Sequence, residues 1–155
     1  EMLGAPLQSM RDRRQLLSFA RAASALADGL VKQGQPAAAL AVVDDAIAET
    51  ESGAEGTELA ELLRMRAEIL MTLPSGDASS VEELLARSLD CARRQHALSW
   101  ELKTSTTLAR HLANQGRHDE AYRILLAAHG HFTEGFSTKD LQAAEQLLKA
   151  LAPTP

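Results

Sequence analysis

Two stretches decide how this chain folds: Leu26-Ala27-Asp28-Gly29-Leu30-Val31-Lys32-Gln33-Gly34 and Leu108-Ala109-Arg110-His111-Leu112-Ala113-Asn114-Gln115-Gly116. Leu, Ala, Leu and Gly recur at the same four places, Leu26 matching Leu108, Ala27 Ala109, Leu30 Leu112 and Gly34 Gly116. The same offset continues past the glycines, where Ala39 matches Ala121, Val43 matches Leu125 and Ala46 matches Ala128. A third copy lies halfway. Arg66-Ala67-Glu68-Ile69-Leu70 aligns with Leu26 to Leu30, and Val81 to Ser88 aligns with Ala39 to Ala46. The second of these alignments is longer in offset by two. The slack sits in Leu73-Pro74-Ser75-Gly76-Asp77-Ala78-Ser79-Ser80, a turn where added length costs little. Self-similarity at a fixed period is the mark of an array of stacked units.

Each copy reads as a helical hairpin. Ala27, Ala67 and Ala109 are small, so two helices can approach closely there. Ala39 and Ala121 supply the second small residue on the partner helix, and Val81 is the exception. Leu30, Leu70 and Leu112 are expected to fill the seam. Gly34 and Gly116 end their first helices, since glycine accepts the left-handed conformation that closes a helix. Pro36 begins the next helix, where its missing N–H is harmless. Asp119 and Glu120 favour the positive end of the helix they start. Ser137-Thr138-Lys139-Asp140 reads as an N-cap with an acid three residues on. Leu141, Ala144, Leu147, Leu148 and Leu151 then form one apolar stripe, so this last helix would cap the stack.

Small, Leu and Gly at these intervals resemble the tetratricopeptide pattern, on a period longer than its usual ~34 residues. The expected fold is all-α: tandem antiparallel helix hairpins in a tetratricopeptide-like superhelix with a C-terminal capping helix. A single domain over 1–155 holds repeats at about 15–50, 57–95 and 98–132 and the capping helix at 137–151. Composition agrees. Ala and Leu make up about a third of the chain and aromatics 3%, which favours helix over strand.

The formal net charge of −5 argues against direct nucleic-acid binding, which needs a basic face. The run Arg11-Asp12-Arg13-Arg14 is short, contains an acid, and reads as a solvated helix start or linker. The single cysteine, Cys91, leaves no intrachain disulfide and fits a reducing compartment. The longest strongly apolar run, Ala37 to Val43, is too short for a membrane span. A cytoplasmic location is the expectation. Glu1 ahead of Met2 reads as the edge of a piece of a longer chain.

No phosphate loop, dinucleotide fingerprint or nucleophile elbow is present. The histidines, His96, His111, His118, His129 and His131, show no zinc-ligand spacing. No cofactor, metal or catalysis is expected. Cys91 reads as a small core residue and Trp100 as a wedge between the second and third repeats, with a ligand-stacking role as the alternative. Phe132, Phe136 and Tyr122 read as core and capping-helix contacts.

A resemblance enters through Ala92-Arg93-Arg94-Gln95-His96-Ala97-Leu98-Ser99-Trp100-Glu101-Leu102, Leu108-Ala109-Arg110, Gln115 to Ala121 and Phe132-Thr133-Glu134-Gly135-Phe136 to Leu141. These segments, strongest over residues 58–150, resemble the C-terminal end of large bacterial signalling proteins. Those proteins couple an ATPase module to a nucleotidyl cyclase or DNA-binding output domain and end in tetratricopeptide-like repeats. The resemblance implies a sensor or interaction segment. No cyclase or ATPase motif lies in these residues.

Repeat arithmetic then places a groove on the first helix of each hairpin. Its positions are Arg21, Ser24, Asp28 and Lys32; Glu61, Arg64, Glu68 and Met71; and Lys103, Thr106, Arg110 and Asn114. The expected partner is a protein or peptide, or a domain of the same parent chain. Arg64, Lys103, Arg110 and Asn114 are expected to receive its acidic groups. Self-association into a homodimer, or packing within the parent chain, is the alternative. The register itself is testable: Ala109→Leu should overpack the hairpin seam and lower stability by roughly 1–3 kcal/mol in urea denaturation, and a neutral result would mean the repeats are misaligned.

Overall fold

A computed structural model describes residues 4–53 and 58–154, with side chains from Asp12 onward, residue 13 apart. Among the described residues every regular element is an α-helix. In chain order these are α1 Gly4–Lys32, α2 Pro36–Ser52, α3 Leu59–Thr72, α4 Ala78–Arg94, α5 Leu98–Asn114, α6 His118–His129 and α7 Lys139–Leu151. The chain is all-α. It divides into two compact units, residues 1–84 and 85–155, with α4 running through the division.

In the first unit α1 packs on α2, α2 on α3, and α1 also touches α3. Ala27 and Ala39 are fully buried where α1 meets α2, and Val43 and Ala46 carry the seam along α2. With no side chain beyond Cβ at the crossing, the backbones can close up until their own atoms are in contact. The helix end follows the sequence expectation. Gly34 has φ +75°, its N–H donates to Val31 O at 3.0 Å, and Gln35 N–H donates to Leu30 O at 2.9 Å. That pair of bonds satisfies carbonyls the helix leaves open and turns the chain back.

The second unit repeats this construction. Gly116 has φ +79°, and Gly116 N and Arg117 N donate to Ala113 O and Leu112 O, each at 3.0 Å. Ala109 and Ala121 are fully buried where α5 packs on α6, and Leu125 and Ala128 continue the seam. α7 packs on both α5 and α6. Its cap is Thr138, whose hydroxyl accepts from Leu141 N, and not Ser137 as the sequence suggested. The capping motif is therefore shifted by one residue and the helix begins at Lys139.

Other expectations need adjustment. α1 begins at Gly4, well before residue 15. Pro6 lies in its first turn, where proline does not break a helix. Leu26 and Leu108 are equivalent in sequence but not in burial: Leu108 is 8% exposed and Leu26 is 54% exposed. Among the described residues α1 packs on α2 and α3, and α5 packs on α6 and α7, so equivalent sequence positions meet different neighbours. Leu112 is buried in its seam, whereas Leu30 and Leu70 are half-buried. Phe136 is 42% exposed and is not core, although its ring lies 5.9 Å from that of His129. Cys91 is buried as expected, and Arg94 Nη2 approaches its sulfur at 3.4 Å. Within the Arg11-to-Arg14 run, Asp12 and Arg14 are exposed; the side chains of Arg11 and Arg13 lie outside the described residues.

The turn before α4 hides a cap that the repeat pattern passed over. The Asp77 carboxylate accepts from the hydroxyls of Ser79 and Ser80 and from Ser80 N–H. The Ser79 hydrogen bond, then those of Ser80, favour the ionised carboxylate and hold its pKa below the ordinary 3.8. At the other end of α4 the closing motif appears a third time without glycine. His96 N and Ala97 N donate to Arg93 O and Ala92 O, with His96 itself at φ +52°. A Cβ in this left-handed region is strained. His96→Gly should therefore raise stability by about 1 kcal/mol, read as a shifted urea midpoint, and a destabilised variant would show that the imidazole is needed there.

Candidate interaction surfaces

The groove positions of α1 and α3 lie in the first unit, and their cations are already engaged. Arg21 Nε donates to Glu58 at 3.2 Å, and Lys32 Nζ to Asp28 at 2.6 Å. Arg64 is held most completely. Its Nε and Nη2 grip the two oxygens of Glu61 at 2.7 Å each, and Nη1 donates to Glu68 at 2.5 Å. The Arg64 side chain is only 14% exposed. Burial acts to lower its pKa, but hydrogen bonds and charge from Glu61, then Glu68, outweigh burial and leave it raised. A guanidinium with both faces of its fork occupied is a poor receptor for a partner's acid. The expectation that Arg64 receives an acidic group is corrected accordingly. It ties one turn of α3 to the next. Met71 is exposed on the same helix, and Arg66 bridges to Asp44 of α2 at 2.6 Å.

In the second unit Lys103 is likewise occupied. Its ammonium lies 4.8 Å over the Trp100 ring and 3.8 Å from Asp140 on α7. The indole is half-buried beneath this cation. Thr106 does not face a groove. It is buried, and its hydroxyl donates back to Leu102 O at 2.8 Å. α7 packs on α5, and Ser88 of α4 reaches Thr104 at 2.8 Å. Arg110 and Asn114 remain exposed.

The feature that repeat arithmetic missed is Glu101. Its side chain is 7% exposed, with Arg93 Nε donating to Oε1 at 2.9 Å and His131 Nδ1 at 3.5 Å from Oε2. The carboxylate links the end of α4, the start of α5 and the segment after α6. His129 plays a similar part, with Nε2 3.5 Å from Glu145 of α7. The sequence held one clue, an acid in the first turn of α5, but its partners sit one on the helix before and one beyond the helix after.

Two concavities accompany these contacts. A cleft of about 430 Å³ in the second unit lies between the start of α5, the 131–135 segment and the start of α7. A larger one of about 610 Å³ in the first unit lies between Leu16 and Phe19 of α1 and the end of α2 at Glu49 to Gly53. Among the described residues no three His, Cys, Asp or Glu side chains gather as a metal site. No helix of the described residues is long and apolar enough to cross a membrane. No protein family, curated protein or solved structure compared with the chain matches it.

The Arg64 assignment has a measurable consequence. Arg64→Met should lose about 1–3 kcal/mol, because it leaves two close carboxylates half-buried without a cation. Adding Glu61→Gln and Glu68→Gln should recover part of that loss. A thermal-melt series in which Arg64→Met is neutral would return Arg64 to the pool of free surface cations.

Proposed function

We propose that this chain is a non-catalytic scaffold for protein–protein interaction. On the resemblance of its C-terminal segments, it is the sensor or partner-binding end of a larger bacterial signalling or regulatory protein of the ATPase-containing kind, acting in the cytoplasm. The observation that supports this reading is the hairpin built twice. Gly34 and Gly116 close their helices with the same two backbone bonds, over the same pairs of buried alanines. Repeated hairpins spend their buried residues on their neighbours and present the outer positions of successive first helices, which is how repeat proteins bind partners.

The second reading, self-association, is favoured by charge. Residues 1–84 carry seven Lys and Arg against fourteen Asp and Glu, and residues 85–155 carry nine against seven. Unlike halves attract between copies.

Peptide display on the immobilised chain separates the two readings. The scaffold reading expects selected peptides to bind saturably by calorimetry, to a chain that is monomeric by light scattering. Their hydrogen-exchange footprint should fall on α1, α3 or α5. No saturable binder, together with a salt-sensitive dimer, would overturn it in favour of self-association.

A further inference from the structure

We propose that the cleft of the second unit receives a basic side chain, lysine or arginine, presented by a peptide partner. The proposal rests on the scaffold reading and gives the chemistry of its partner. The apolar part of the cleft is Leu98, Leu102, Phe132 and Leu141, and Leu98 is 41% exposed at its mouth. Glu134 and Asp140 bring two carboxylates to the lining, and neither lysine nor arginine lines it. A cation on an aliphatic stem suits that combination. The stem lies along leucine while the charged head stays at the wet, acidic rim.

Two of the cations nearby, Arg93 and Lys103, are engaged, and His131 of the lining lies 3.5 Å from Glu101. Arg93 donates to Glu101, behind His131. Lys103 rests over Trp100, and at 3.8 Å it makes only a long contact with Asp140. The positive ends of the two helices that border the cleft are also compensated from within. Glu101 lies in the first turn of α5, and Thr138 and Asp140 lie in the cap and first turn of α7. An acidic ligand would meet Glu134 and Asp140 with no lining lysine or arginine to offset them. The volume, about 430 Å³, is at the small end of ligand sites, enough for one side chain and not for a folded segment.

The test uses the full chain, ¹⁵N-labelled, titrated with N-acetyl-arginine methylamide and N-acetyl-lysine methylamide. The neutral norleucine and acidic glutamate analogues serve as comparisons. Saturable amide shifts confined to residues 98–102 and 131–141 are expected with the two basic probes. Norleucine should bind at least tenfold more weakly, and Glu134→Gln should weaken arginine several-fold. Glu134 is exposed, so this variant keeps its fold, which unchanged amide dispersion would verify. Equal shifts with norleucine or glutamate would overturn the proposal, as would basic probes that shift residues elsewhere. If display peptides bind while the basic probes leave the cleft unmoved, the charge assignment fails and the scaffold reading stands. If neither binds, both fail.

Discussion

The close approach of two helices at paired alanines is the constraint on which the rest depends. Ala27 and Ala39, and again Ala109 and Ala121, are fully buried on helices that pack together, and none has a side chain beyond Cβ to hold the backbones apart. Any larger residue would push the helices apart and unseat Val43 or Leu125 from the seam. The turn between the helices must then be tight, and the left-handed Gly34 and Gly116 make it so. Spacing, turn and seam act as one device, used twice.

Once the hairpins are set, charge is arranged around them by what each helix meets. On α3 the nearest carboxylates to Arg64 are one turn away on its own helix. On α5 the nearest anion to Lys103 comes from α7. Burying Glu101 requires a compensating cation, and the end of α4 supplies Arg93 at 2.9 Å. The result is a surface on which Arg21, Lys32, Arg64, Arg66, Arg93 and Arg117 each hold a carboxylate of the same chain.

Parts of this were legible in the residues. Glu61 and Glu68 stand three before and four after Arg64, so their pairing follows from helical spacing alone. The same holds for Asp28 with Lys32, and for Trp100 beneath Lys103. The burial of Thr106 was not legible, because it depends on which neighbours cover α5 and not on its place in the repeat. The exposure of Leu26 was hidden too, since its sequence equivalent, Leu108, is buried.

The sequence by itself determined the helices, their turns and the paired small residues, because those depend on neighbours within one turn or on a period repeated along the chain. Only the tertiary structure decided which equivalent positions are covered, and which charges are already taken. Glu101 is the clearest case. Its partners, Arg93 and His131, come from outside its helix, and no local pattern brings three such residues to one point.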